Sequence, residues 1–209
     1  MEGLYMLKLG KGSKILFEGD SVTDHRRDRE DFHSLSAYSK IIGEKLSECG
    51  GEAFNRAIGG DRSKDVLARI KGEFEELRPN VFSLLIGVND TWRRYDNNDP
   101  TSEEQFEKNL RVILETAYAY CAKIIVLEPF ILPSDPQKMI MREDLTKKID
   151  VVRKLARDFA DEYVPLDGLF AELTLKISPE ELAADGIHPT DLAYEYIARW
   201  WMERVTFSQ

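Results

Sequence analysis

The chain predicts an α/β fold, a three-layer α/β/α sandwich built on a five-stranded parallel sheet. Three observations lead there. Short apolar runs alternate with longer amphipathic ones along the whole sequence, the pattern of strands buried between two layers of helices. The length of 209 residues suits one such domain, spanning 1–209, with a single sizeable core. The stretches richest in reactive side chains each follow an apolar run, where open parallel sheets place their ligand sites.

The strand candidates are Lys14–Phe17, Glu52–Phe54, Val81–Ile86, Ile124–Leu127 and Tyr163–Leu166. Each is short, apolar or β-branched, and bounded by turn residues. The helix candidates are Ala37–Cys49, Lys64–Leu77, Glu103–Cys121, Asp144–Asp161 and Asp191–Val205. In the third of these, Phe106, Leu110, Ile113 and Ala117 recur at intervals of three and four, an apolar stripe with charges between. Ser102 precedes it as an N-cap, with Gln105 three residues on completing a capping box.

Composition is that of an ordinary globular chain, 43% hydrophobic and 32% charged, without repeats or low-complexity tracts. A net charge of −9 repels nucleic acid and anionic lipid, so neither is an expected partner. The segment Met1 to Gly12 lacks the long apolar core of a signal peptide, no apolar run approaches membrane-spanning length, and a cytoplasmic location is expected. Cys49 and Cys121 have no metal-ligand spacing and read as buried structural thiols.

Three separated motifs carry chemistry: Gly19-Asp20-Ser21, Gly87-Val88-Asn89-Asp90 and Asp185-Gly186-Ile187-His188-Pro189. Each alone is a common turn sequence; together, in this order, they describe an acyl-transfer site. Ser21 is the nucleophile, and a serine hydroxyl needs a base to take its proton. His188 is that base, because His25 and His33 lie in the polar loop after the first strand without a carboxylate at the same spacing and loop context. Asp185 orients the imidazole and sets its tautomer. Gly186 permits the tight turn, and Pro189 stiffens the approach to the last helix. The oxyanion requires converging donors: the Ser21 N–H, the backbone at Gly60 within Asn55-Arg56-Ala57-Ile58-Gly59-Gly60-Asp61, and the Asn89 side-chain amide. The order Ser, Asp, His is that of α/β-hydrolases, but the Gly-x-Ser-x-Gly elbow is absent.

These blocks resemble those of the SGNH hydrolases, the GDSL esterase and lipase superfamily, over nearly the whole chain from Lys14 to the last helix. The four family positions match Ser21, Gly60, Asn89 and His188, with Asp185 completing the triad. Gly87–Asp96 and the Asp-Gly-Ile-His-Pro block are similar to the bacterial acetylxylan-esterase-like carbohydrate deacetylases. The resemblance implies a flavodoxin-like SGNH fold and a serine esterase for short acyl groups, with an acetylated sugar as substrate and no cofactor or metal. Two departures stand out: Ala57, where many relatives carry glycine, and Glu18, whose charge lies close to Asp20.

Asp20, Asp90 and Trp92 are the further substrate-binding candidates. An aspartate in a turn more often braces its loop through backbone hydrogen bonds, and Trp92 serves equally as a pocket wall or as core. Trp200 and Trp201 on the last helix fit packing or a subunit contact, which leaves a homo-oligomer open. The long segment Phe130–Arg142, with its apolar residues, fits a pocket rim or a subunit contact.

Alternative functions divide by class. A lysophospholipase or thioesterase would use the same triad but would call for an apolar approach, whereas the flanking loops carry Arg26, Arg27, Arg93, Arg94 and Asp96. A metallophosphoesterase needs several His and Asp ligands, and the chain has three histidines. A catalytically inactive binding module would not require Ser, Asn, Asp and His together.

Overall fold

The computed structural model describes residues 6–31, 33–120 and 122–208. In chain order they form β1 (Leu7–Leu9), β2 (Lys14–Gly19), α1 (Ser21–Asp24), α2 (Ala37–Glu48), β3 (Glu52–Asn55) and α3 (Ser63–Leu77). There follow β4 (Val81–Leu85), α4 (Val88–Asp96), α5 (Glu103–Ala119), β5 (Lys123–Leu127), a 3₁₀ turn (Lys138–Met141) and α6 (Arg142–Phe159). The chain continues through β6 (Glu162–Val164), α7 (Leu166–Leu173), α8 (Pro179–Leu182), α9 (Asp191–Met202) and β7 (Val205–Phe207).

Five strands make the expected parallel sheet, in the order β3-β2-β4-β5-β6. Its register runs Ile15 opposite Val81 through Gly19 opposite Leu85, and Val81 opposite Lys123 through Leu85 opposite Leu127. Alternation along the strands divides the core in two. Ile15, Phe17, Leu85, Ile125 and Leu127 pack on one face with α2, α7 and α9. Leu16, Phe82, Leu84, Ile124 and Val126 pack on the other with α3, α5 and α6. Because both faces are covered, β4 is buried at every residue, which is why it reads as an unbroken apolar run. A smaller cluster of Val88, Ile131, Met141, Leu145, Ile149 and Ile187 lies apart from these two.

Strand order reverses direction between β2 and β4, which lie side by side although β3 separates them in sequence. That switch opens a crevice beyond the C-terminal strand ends. Ser21 follows β2 and Asn89 follows β4, so the crevice receives both.

Several expectations need correction. The last strand candidate, Tyr163–Leu166, is β6 at Glu162–Val164, and Leu166 instead begins α7. The helices α1, α4, α7 and α8 go beyond the expected elements, as does the separate parallel pair of β1 and β7. Cys49 is half-buried rather than buried, because α2 ends at Glu48 and the thiol belongs to the turn that follows. Cys121 lies outside the described residues. The Phe130–Arg142 segment is not chiefly a rim: Phe130, Ile131, Leu132 and Met141 are core, and only Ile140 is a strongly exposed large apolar side chain there. Trp201 is fully buried and donates its indole N–H to Ser83 Oγ at 3.0 Å. Trp200 stacks edge-on against Phe170 and beside Tyr196. Ser102 caps α5 as expected, accepting from Gln105 N–H at 3.1 Å, whereas the Gln105 side chain turns to Asn109.

Candidate active site

The nucleophile block bends sharply at the end of β2. Asp20 is the N-cap of α1 and accepts the Val22 N–H at 3.0 Å. Ser21 is the first residue of this four-residue helix. The helix ends at once in two left-handed residues, His25 with φ 34° and Arg26 with φ 60°. Backbone in that region is costly for residues other than glycine and collects at functional sites. Its effect here is to turn the chain back before a second helical turn can cover Ser21.

Ser21 Oγ lies 2.9 Å from His188 Nε2, and His188 Nδ1 lies 2.8 Å from Asp185 Oδ2. An ionised carboxylate only accepts, so Nδ1 carries the hydrogen and Nε2 of the neutral ring is left to accept from the serine hydroxyl. Asp185 Oδ1 accepts the backbone N–H groups of Ile187 at 3.0 Å and His188 at 2.8 Å. Partial burial raises the proton affinity of Asp185, but the hydrogen bonds from His188, Ile187 and Lys138 outweigh it. They hold the carboxyl well below the usual range, so it stays ionised.

The loop carrying this pair is anchored from beneath. Ile187 is buried among Val88, Ile131 and Met141, and the Leu132 N–H donates to the Gly186 carbonyl at 2.8 Å. Gly186 has φ +79°, and a Cβ there would stand 2.7 Å from the Leu132 carbonyl oxygen. Glycine is thus required both by conformation and by space.

On the oxyanion side, Gly60 also has a positive φ, +92°, and is exposed, with open space where a Cβ would project. Asn89 is buried and donates from Nδ2 to the Asp61 carbonyl at 3.1 Å, which brings its amide to the Gly60–Asp61 turn. The Arg93 guanidinium donates to Asn89 Oδ1 at 3.4 Å and thereby fixes which way the amide faces. The turn is tied to the nucleophile helix by Gly59 N–H to Asp24 Oδ2 at 2.8 Å and by Asn55 Nδ2 to the Thr23 carbonyl at 2.7 Å. Ala57 is buried, and its N–H donates to Asn55 Oδ1 at 3.1 Å.

Two of the substrate-binding candidates serve the loops instead. Asp20 is buried with its carboxylate in the α1 cap, and Asp90 is buried while accepting from Ser63 N–H at 2.8 Å and Ser63 Oγ at 2.6 Å. Neither presents an oxygen to a substrate. Burial, reinforced by Asp90 and Asp61 and opposed by the Val22 N–H, pushes the Asp20 carboxyl up to about 7. Burial likewise raises Asp90, against the opposing bonds from Ser63. Glu18, expected to act on Asp20, is fully buried and committed elsewhere: Arg69 bonds its Oε2 at 2.7 Å while also pairing with Asp61 and Glu73. Arg69 in this way joins β2 to the Gly60–Asp61 turn.

Trp92 is half-buried. It packs against the small cluster beneath the loop and stands with its ring centroid 6.1 Å from that of His188. Its observed role is packing, and it is not among the residues that line the cleft over Ser21. A cleft of about 530 Å³ opens over Ser21 and His188, lined also by Asp24, His25, Arg26 and Arg29. Lys138, Arg93 as an orienting group, Arg69 and Asp24 are site residues that the sequence alone does not reveal. Lys138, Arg69 and Asp24 act through contacts that only the fold creates, and Arg93 through a contact within α4.

The comparisons with known proteins agree with this fold. The chain is 28% identical to an acetylxylan esterase of Geobacillus stearothermophilus, over 96% of this chain and 97% of that one. It is 25% identical to the thioesterase 1/protease 1/lysophospholipase L1 of Escherichia coli K12, over 97% of this chain and 88% of the relative. The crystal structure of Axe2, an acetylxylan esterase from Geobacillus stearothermophilus, superposes with a TM-score of 0.86 at 27% identity, covering 97% of this chain and 98% of that one. LAE5, an alpha/beta hydrolase enzyme from the metagenome of Lake Arreo, superposes at 0.85 with 25% identity, covering 94% and 96%. Residues 17–196, from within β2 to within α9, match the GDSL-like Lipase/Acylhydrolase family. A match over most of the chain, with the fold shared, makes the chain a member of that family and a carboxylic ester hydrolase.

Proposed function

We propose that the protein removes acetyl groups from carbohydrate esters through an acyl-enzyme on Ser21. The observation that carries the reading is the continuous hydrogen-bonded line Ser21–His188–Asp185, ending in the open cleft. The His188 ring takes the serine proton as Oγ attacks the acyl carbonyl. The Ser21 N–H, the Gly60 N–H and the Asn89 amide receive the oxyanion. Collapse of the tetrahedral intermediate passes the proton from His188 to the departing alcohol, and water then repeats the sequence to free the acid.

The cleft supports a polar alcohol portion. Its lining is charged or small, and Pro189 is the one apolar side chain among the described residues that line it. A long acyl chain needs apolar side chains along its length, at about 25 cal/mol per Å² buried, and this cleft is lined chiefly by charged and polar residues. The similarity to acetylxylan esterases points the same way, and the lysophospholipase or thioesterase reading is the weaker one.

Rates on p-nitrophenyl acetate, butyrate and octanoate, beside an acetylated xylo-oligosaccharide, test the proposal. The expected result is kcat/KM highest for acetyl esters and turnover of the oligosaccharide. A steady gain from acetyl to octanoyl would overturn the deacetylase reading while leaving the triad in place.

A further inference from the structure

The long segment between β5 and α6 supports the Asp185 loop through Ile131, Leu132 and Met141, and touches the Asp185 side chain through Lys138. Lys138, at the start of the 3₁₀ turn, donates from Nζ to the Asp185 carbonyl at 2.9 Å and to Asp185 Oδ2 at 3.0 Å. The same ammonium lies 4.7 Å from the centroid of the Trp92 ring, a cation–π contact. Its side chain is 18% exposed, so it is held in place rather than free in solvent. Oδ2 is also the atom that accepts the His188 Nδ1–H. One carboxylate oxygen thus serves a fixed cation and the imidazole together.

We propose that Lys138 is a positioning residue of the triad: by sharing Asp185 Oδ2 with His188, it lowers the proton affinity of the imidazole and keeps the base free in more acidic solution. This role rests on His188 acting as base, as proposed for ester hydrolysis. Protonation of His188 places a second positive charge beside an oxygen already committed to an ammonium. That oxygen can stabilise the imidazolium less than an unshared carboxylate would, and the two cations repel. The same contact fixes the Asp185 loop from outside, as Leu132 fixes it from beneath. Other charges facing the ring are unchanged when Lys138 is altered. The Asp24–Arg29 pair, His25 and Arg26 line the cleft with it. Arg93 lies over Trp92 and pairs with Asp96, while Asp191 opens the following helix.

The test is the pH profile of kcat/KM for p-nitrophenyl acetate with wild type, K138M and K138R. Methionine keeps the length and the apolar stem without the charge; arginine keeps the charge. The expected result is an acid limb displaced upward by about half to one pH unit in K138M and restored in K138R. A limb that stays put in K138M, with turnover lowered equally at every pH, would reduce Lys138 to a structural tie and overturn the proposal. If K138M folds poorly, K138Q serves in its place. Titration of the His188 ring by NMR, in the S21A background with and without K138M, reads the same displacement without turnover. An active H188A would instead refute the triad, so the two failures are distinguishable.

Discussion

Ser21 and His188, separated by 167 residues in sequence, bring Oγ and Nε2 to 2.9 Å. The serine is half-exposed on a helix of four residues and carries no packing duty. Ser21→Ala should therefore fold normally and lose roughly 10⁴-fold or more of ester hydrolysis. Thermal denaturation and rates on p-nitrophenyl acetate check both halves. Fluorophosphonate labelling of the wild type, read by peptide mass, should fall on Ser21; labelling elsewhere would refute the mechanism.

In the proposed mechanism Asn89 donates to an oxyanion, which bears charge only near the transition state. Asn89→Ala should lower kcat by roughly 10²–10³-fold and move KM little. A loss confined to KM would make Asn89 a ground-state contact. Because Arg93 holds the amide carbonyl, Arg93→Ala should show a smaller drop of the same kind.

Asp185→Asn keeps a carbonyl oxygen for the Ile187 and His188 backbone but can turn an amide towards the ring. The imidazole then favours the tautomer with Nε2 protonated, which cannot accept from Ser21. A loss of roughly 10⁴ in kcat is expected. In the wild type Asp185 stays ionised throughout the working range, so activity should rise from acid towards neutral pH through one ionisation. A second ionisation on the acid limb, or a loss under tenfold in the variant, would contradict the assignment.

Asp20 provides a prediction about stability. Its folded carboxyl, raised to about 7, binds a proton more tightly than an unfolded aspartate. That contribution to stability is complete below about pH 4 and disappears as pH climbs through about 7. Asp20→Asn keeps a good cap acceptor for Val22 and cannot ionise. Its Tm should gain on the wild type progressively from pH 4 to pH 8, while the opposite contribution of Asp185 cancels because both proteins share it. Parallel Tm curves would show that Asp20 does not titrate in this window.

The sheet and the reacting groups were legible because each rests on local pattern. β4 and β5 are apolar at nearly every position since helices cover both faces, and α5 shows its stripe because one side meets the core. Ser21, Asp185 and His188 stood out because their types and order have few other uses. α4 was hidden: it starts inside the Gly87–Asp90 motif and runs nine residues with charges in its last turn. β1 and β7 have three residues each, too few for alternation to show. Lys138 was invisible for a different reason. A lysine in an irregular segment is ordinary, and its meaning comes only from Trp92 and Asp185, which meet it through the fold. Asp20 and Asp90 looked like site residues because they adjoin the motifs, yet adjacency in sequence put their side chains under the loops.

The pairing of β1 with β7 carries Ser208 against the Leu9 carbonyl, 199 residues away. A ribosome making this protein releases Leu9 and Ser21 well before their partners, and both must wait. Leu9 has no strand partner until Val205–Phe207 appears, and Ser21 has no base until His188 has emerged. Contacts so distant along the chain form slowly, because the intervening segment must be organised first. The order of synthesis therefore keeps the serine hydroxyl unreactive in every nascent fragment that stops short of His188, and joins completion of the fold to the onset of activity.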